Sequence, residues 1–252
     1  MDFVKYQGTG NDFIIIDGRN SAPDVDVAAL CHRRFGIGAD GFMILKNHVN
    51  YDFEMVYFNS DGNLSSMCGN GGRCIAHFAS SLGLGESLNF LAVDGPHKAL
   101  VNDLNVELEM TDVLSLKEIN PETFEIHTGS PHYVHFNNIP IAKQDLLTYA
   151  RGVRYSPLYK QQGINVNIVN AIDGQLHVRT YERGVEDETY SCGTGVTACA
   201  LSYMYQHKLE GEQHLQIHTP GGMLEVKAIS NQGKFTRIRL IGPATLVFRG
   251  RI

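Results

Sequence analysis

The sequence predicts an α+β protein of two pseudo-symmetric halves, each a strand-rich layer wrapped around one central helix. Three observations lead there. Two cysteine-glycine segments, Met67-Cys68-Gly69-Asn70-Gly71-Gly72 and Ser191-Cys192-Gly193-Thr194-Gly195, each follow a short polar run and open an apolar stretch of helical period. The segments around them recur in the same order, which makes the chain an internal repeat. Strands and hairpins outnumber helices, and the regular βαβ alternation of a doubly wound sheet is absent.

In the first half, Met1-Asp2-Phe3-Val4-Lys5 reads as the start of a strand. Gly8-Thr9-Gly10-Asn11-Asp12 is a loop leading into Phe13-Ile14-Ile15-Ile16, an apolar run short enough for a buried strand. Asp24 to Phe35 is predicted as a helix with Val27, Leu30 and Cys31 on its inner face, ended by the loop Gly36 to Gly41. Strands follow at Phe42 to Leu45 and Asp52 to Phe58, and the second of them delivers Asn59-Ser60-Asp61-Gly62 to the first cysteine. Beyond the glycines, Ile75, Phe78, Ala79 and Leu82 recur at i, i+3, i+4 and i+7 until Gly83 stops the helix. Leu88 to Val93, His97 to Val101 and Val106 to Met110 complete the half as strands.

The second half repeats this order. Thr128-Gly129-Ser130-Pro131-His132-Tyr133-Val134-His135 echoes the first TG loop and its strand. Tyr181-Glu182-Arg183-Gly184 and an acidic run lead to Cys192, after which Val196, Cys199, Ala200, Tyr203 and Met204 form a helix face. Thr194 is the expected N-cap of that helix, and Lys208 before Gly211 suits its C-terminus. Leu215-Gln216-Ile217 through Pro220-Gly221-Gly222 and Arg237 to Ile241 match the closing strands of the first half. We expect an N-terminal half of residues 1–113 plus 243–252 and a C-terminal half of residues 114–242, with Ala244 to Ile252 packing back across the junction. Halves related by a pseudo-two-fold axis would set Cys68 and Cys192 on opposite sides of one cleft.

Composition narrows the function classes. The 252 residues are 43% hydrophobic and 19% charged, enough for a sizeable core in one large or two smaller domains. A net charge of -6 and a pI near 6.0, without a Lys/Arg run, argue against nucleic acid as a partner. No apolar run approaches about 18 residues and the opening residues lack a basic n-region, so no membrane partner and a cytoplasmic location are expected. Five scattered cysteines suit a reducing compartment better than a disulfide framework.

A cysteine opening a helix has chemistry to do. The first turn leaves backbone N–H groups without intrahelical partners and carries the positive end of the macrodipole, both of which favour thiolate over thiol. The dipole is worth roughly 0.3 to 2 kcal/mol, and ~1.36 kcal/mol moves a pKa by one unit, so a thiol starting near ~8.5 is expected at about 7 to 8. Two such cysteines at one cleft repel as a pair of thiolates, so they should titrate as one thiolate and one thiol. One could remove a proton from carbon while the other returns one to the opposite face, inverting a stereocentre. The helix N–H groups could hold a substrate carboxylate and the charge that develops beside it.

The bland readings claim most of the remaining signals. Cys31, Cys74 and Cys199 lie on apolar faces and read as core. Zinc is a poor reading, because Cys68 and Cys74 are too far apart for a knuckle and no paired histidines follow. Gly193 to Ala198 fits G-x-G-x-x-A but lacks its βαβ setting. Glu186 to Glu188 reads as a solvated loop, and no cofactor signature is evident.

Taken together, Gly8-Thr9-Gly10-Asn11-Asp12-Phe13, Phe58-Asn59-Ser60-Asp61-Gly62, Met67-Cys68-Gly69-Asn70-Gly71, Pro131-His132, Asn165-Val166, Glu182-Arg183-Gly184 and Cys192-Gly193-Thr194-Gly195 resemble the diaminopimelate epimerase family over nearly the whole chain. The resemblance implies a pyridoxal-independent epimerase, needing no cofactor and no metal, that interconverts LL- and meso-2,6-diaminopimelate in lysine and peptidoglycan-precursor synthesis. It implies Cys68 and Cys192 as the acid and base pair, and Asn11, Asn59, Gly69, Asn70, Ser130, Asn165, Glu182, Arg183, Gly193 and Thr194 as substrate-binding. His132 and Glu182 match positions that tune the cysteines, and members are often homodimers. Arg183 is the natural cation for a distal carboxylate. The chain departs from the family pattern at Ser130, where asparagine is usual, at Gly41, where some members have glutamine, and in a Val185 to Thr189 run one residue longer. The rival expectations are a proline-, hydroxyproline- or histidine-type racemase on the same fold and a non-catalytic dithiol protein that binds small ligands; Asn70, where proline racemases carry histidine, favours diaminopimelate.

Overall fold

The computed structural model describes residues 1–21, 24–65 and 67–252, so Ser66 of the polar run before Cys68 lies outside the described residues. The chain divides into two units, Met1–Leu108 with Gly242–Ile252, and Glu109–Ile241.

In the first unit, β1 (Asp2–Gly8) and β2 (Asn11–Asp17) form an antiparallel hairpin across Thr9-Gly10. Both turn residues have positive φ, 49° and 87°, which gives the turn the twist of the strands it joins. Asn11 and Asp12 therefore belong to the strand and not to the loop. After α1 (Val27–Cys31) come β3 (Gly41–Lys46), parallel to β2, and β4 (Phe53–Asn59), antiparallel to β3. Next are α2 (Gly69–Ser81), β5 (Ser87–Ala92), β6 (Gly95–Asn102) and β7 (Asn105–Glu109). The C-terminal strand Thr245–Arg251 lies antiparallel along the outer side of β1.

Two expectations change here. The helix predicted over Asp24 to Phe35 is only five residues long: Asp26 caps it by accepting from Ala29 N–H, and His32 turns extended. Gly36 N–H then donates to His32 carbonyl, folding the chain back over the helix end. The central helix α2 is buried on nearly every side and not on one face, because β1, β2, β3 and β6 all pack on it. Gly71, Gly72, Ala76 and Ala79 supply the small surfaces that such close approach needs. Gly83 ends it in the left-handed conformation, φ 85°.

The second unit repeats the pairing. It contains β8 (Lys117–Asn120), β9 (Thr123–His127), β10 (Pro131–Phe136), α3 (Leu146–Arg154), β11 (Asn165–Ile172) and β12 (Gln175–Glu182). These are followed by β13 (Asp187–Thr189), α4 (Gly193–Gln206), β14 (Gly211–Thr219), β15 (Gly222–Asn231) and β16 (Lys234–Pro243). β9–β10 is antiparallel, β10–β11 parallel and β11–β12 antiparallel, as β1–β2, β2–β3 and β3–β4 are. A short parallel contact then leads into a meander in each unit, β4–β5 in one and β12–β14 in the other. α4 takes the place of α2, wrapped by β9, β10, β11, β12, β14 and β15. The internal repeat read from the sequence is thus a repeat of strand pairing around a buried helix. The helix α3, packed on β11 and β12 through Leu146 and Ala150, has no counterpart in the sequence reading.

Gly41 has no room for a side chain. It opens β3 opposite Asn59, and a Cβ there would lie 2.4 Å from the Tyr57 ring and 2.8 Å from Phe58 carbonyl oxygen. No side chain fits without moving backbone. Gly41→Ala is expected to cost about 1 to 3 kcal/mol by overpacking, which thermal denaturation would register as a Tm lower by several degrees.

Candidate active site

Cys68 is the N-cap of α2. Its backbone is extended, φ −101° and ψ 148°, and its Sγ accepts from Gly71 N–H at 3.2 Å. Asn11, the first residue of β2, brings its Oδ1 to 3.9 Å from that sulfur. The amide faces this way because its Nδ2 donates to Asp40 Oδ2 at 2.6 Å. Asp40 is fixed in turn by Arg33 at 2.6 Å, which also reaches Asp12 at 2.8 Å, and Asp12 pairs with Lys5 at 2.7 Å. Burial opposes charge on Asp12, but Arg33 and Lys5 outweigh it and hold the carboxyl well below its usual range. Asp40, just before β3, is therefore the anchor for Asn11.

Beneath Cys68 lies a buried cation. Arg73, in the first turn and a half of α2, has no exposed surface. Its guanidinium donates to Gly69 carbonyl at 3.2 Å, Thr9 hydroxyl at 3.2 Å and Asn70 Oδ1 at 3.1 Å, with a longer reach of 3.5 Å to Pro243 carbonyl. Among the described residues no carboxylate pairs with it. Burial pushes its pKa down to about 10, which still leaves it charged at neutral pH, and the groups whose charge favours that state are Cys74 and Cys68. Burial pushes Cys74 up to about 12, which keeps it a thiol at neutral pH, and Cys68 is the other sulfur whose charge this guanidinium feels.

In the second unit Cys192 is the N-cap of α4, at φ −126° and ψ 112°, and receives no cap hydrogen bond on its side chain. Thr194, the expected N-cap, instead lies inside the helix. Its Oγ1 sits 3.4 Å from Cys192 Sγ and 2.9 Å from His132 Nε2. Thr128 of the TG loop donates to Thr194 carbonyl at 2.8 Å, tying that loop to the helix start. His132 is fully buried on β10, and burial pushes it down to about 3, with His127 and Arg183 acting in the same direction. It is a neutral imidazole at physiological pH.

Asn165 is pinned on both sides. Its Nδ2 donates to Ser130 Oγ at 2.8 Å and Pro131 carbonyl at 3.1 Å, and its Oδ1 accepts from Arg183 N–H at 2.8 Å. Ser130 supplies the oxygen that holds this amide. Arg183 is exposed, with Nη1 donating to Gln162 carbonyl at 3.0 Å and no carboxylate partner among the described residues. Glu182 ends β12, half-buried beside it.

The structure thus gathers Cys68, Gly69, Asn70 and Asn11 in one unit and Cys192, Gly193, Thr194, His132, Ser130, Asn165, Glu182 and Arg183 in the other. Asn59 stands at the exposed end of β4. Sequence reasoning missed Arg73, Asp40, Asn167, Thr180 and Glu186. It also misread the acidic run, which is not a solvated loop. Glu186 accepts from Arg154 at 2.8 Å, Tyr155 at 3.0 Å, Tyr181 at 3.2 Å and Gly184 N–H at 3.3 Å, while Glu188 pairs with Arg179 at 2.6 Å. These bonds fix the turn that carries Arg183. No group of three metal-ligating side chains occurs among the described residues, and none of their helices is long and apolar enough to cross a membrane.

Two outcomes follow from these partners. Arg73→Met is expected to raise the titration midpoint of Cys68 by about one unit, since a buried opposite charge is lost; the Cβ shift of 13C-labelled cysteine reads it. For Glu186, burial works against the carboxylate, but Gly184, Arg154 and Tyr155 prevail and lower its pKa. Its stabilising share is complete above the unfolded value near ~4.3 and disappears as pH falls through the lower folded value. Glu186→Gln is therefore expected to lower Tm at neutral pH and to lessen the drop in Tm between about pH 5 and about pH 3.

Residues 3–114 and 124–247 match the family model for diaminopimelate epimerase. A diaminopimelate epimerase of Flavobacterium psychrophilum is 45% identical, with 100% of both chains covered. That of Aquifex aeolicus is 35% identical over 100% of this chain and 98% of its own. A solved Bacillus anthracis phenazine biosynthesis protein of the PhzF family shares the fold at a TM-score of 0.78 and 15% identity, covering 100% of this chain and 98% of its own. The matched segments carry both capping cysteines and their surroundings, and the chain belongs to the diaminopimelate epimerase family.

Proposed function

We propose that the chain interconverts LL- and meso-2,6-diaminopimelate by a two-base mechanism in which Cys68 and Cys192 exchange the roles of thiolate and thiol. The observation that carries this reading is the paired placement of the two cysteines as N-caps of the buried helices of two similar units, in a member of this family. One sulfur removes the α-proton and the other delivers a proton to the opposite face, so the substrate must reach both. Charge developing at the reacting carboxylate is met by first-turn N–H groups around Gly69-Asn70 and Gly193-Thr194. Arg183, exposed and without a carboxylate partner among the described residues, takes the distal carboxylate, and Asn11, Asn59, Asn165 and Glu182 offer oxygens to ammonium groups. With acid, base and anion donors supplied by the chain, the reaction asks nothing of pyridoxal. A cytoplasmic homodimer acting on this small-molecule substrate completes the reading.

The test is incubation of the reduced protein with LL-diaminopimelate in D₂O without added cofactor. Deuterium in newly formed meso product, read by NMR and chiral chromatography, is the expected result. Cys68→Ala and Cys192→Ala should each lower turnover by about 10³-fold or more while leaving the far-UV and near-UV spectra unchanged. Near-normal turnover in either variant defeats the two-base mechanism, and activity on proline, hydroxyproline or histidine alone moves the substrate to a related racemase.

A further inference from the structure

Cys192 stands at the end of a hydrogen-bond chain whose direction can be read link by link. β11 alternates, so Asn165 and Asn167 face the same way, and the antiparallel register sets Thr180 of β12 opposite Asn167. Asn167 has no exposed surface, and Thr180 is buried beside it. Asn167 Nδ2 donates to Tyr133 carbonyl at 3.1 Å, a group that can only accept, and Thr180 hydroxyl donates to Asn167 Oδ1 at 2.8 Å. Those two bonds leave one amide orientation. The second Nδ2 proton points at His132 Nδ1, 3.1 Å away.

A neutral imidazole that accepts at Nδ1 carries its proton on Nε2. Asn165 lies 3.4 Å from Nε2, but both of its amide protons go to Ser130 and Pro131, so the Nε2 proton goes to Thr194 Oγ1. Among the described residues the acceptor left for the hydroxyl proton of Thr194 is Cys192 Sγ. Gly195 completes the fit, since a Cβ there would fall 2.6 Å from Asn167 Oδ1 and 3.3 Å from His132 Cε1. His127 and Arg183 act on the charge of His132, and Cys199 feels the charge of Cys192.

We propose that Asn167 is a positioning residue that fixes His132 as its Nε2–H tautomer and, through Thr194, aims a hydroxyl proton at Cys192 Sγ. This deepens the proposed function by giving His132 a physical role, that of an uncharged relay which turns Thr194 into a donor to the thiolate of Cys192. A hydrogen bond to the charged form favours that form, so the relay favours the thiolate of Cys192 as Gly71 N–H favours that of Cys68.

The deciding experiment is the two-bond 1H–15N spectrum of 15N-histidine-labelled wild-type protein, with titration of 13Cβ-labelled cysteine followed in parallel. The spectrum should give the Nε2–H pattern for His132; an Nδ1–H pattern or an imidazolium overturns the proposal. Asn167→Leu removes the donor to Nδ1, so the midpoint of Cys192 should rise by about half a unit or more while that of Cys68 stays, and kcat should fall about tenfold with KM changed less than about twofold. If that variant does not fold, Thr194→Val should raise the Cys192 midpoint and Thr194→Ser should restore it. A Cys192 midpoint unmoved by loss of the amide or of the hydroxyl overturns the relay. The spectra need no substrate, so a chain that does not epimerise diaminopimelate removes the proposed function while the tautomer is still read on its own.

Discussion

The structure depends on one constraint: the N-terminus of a helix that is buried on nearly all sides must have its orphan N–H groups satisfied or put to use. Each unit meets it in the same place, with a cysteine in extended conformation at the N-cap and glycines behind it. The strands around the helix follow from this. They close on α2 and α4 because the helices offer glycine and alanine on the faces where a single-sided amphipathic helix would carry charge. A ligand at the helix end would satisfy the same orphan groups, so the residues proposed to bind, Gly69, Asn70, Gly193 and Thr194, lie where the helix ends need partners.

The two units solve the shared problem differently at the sulfur. Cys68 receives a backbone N–H from Gly71, faces an amide oxygen from Asn11 and has a guanidinium behind it. Cys192 receives no cap bond and faces a hydroxyl. The two units share a backbone frame and differ in the side chains set on it. A reaction that passes a proton from one side of a carbon to the other runs in both directions but does not need symmetric machinery, and these two surroundings are not equivalent.

Much of this was legible in the sequence because it rests on local patterns. The helical spacing of Ile75, Phe78 and Ala79, the glycine that stops α2, and the repeated TG and Cys-Gly segments each encode their own geometry. What escaped depends on contacts distant in sequence. Arg73 reads as an ordinary helical arginine until four elements close over it. Nothing local sets Asn167 apart as a buried amide; only the pairing of β11 with β10 and β12 shows what Asn165 and Asn167 hold. Glu186 belonged to a run of acids, and nothing local announced Arg154 and Tyr181 as its partners. The short α1 was overextended for a similar reason: its end is set by the chain folding back at Gly36, not by a change of periodicity.

The C-terminal strand Thr245–Arg251 runs along β1, so the first unit is assembled from segments at the two extremes of the sequence while the second is continuous. Pairing between such distant segments must close a long loop before any contact offsets the lost entropy, which slows folding. During synthesis the hairpin of β1 and β2 leaves the ribosome with one edge uncovered and keeps it so until Thr245–Arg251 follows. An uncovered edge invites pairing with other chains, and here the interval of exposure is set by translation itself.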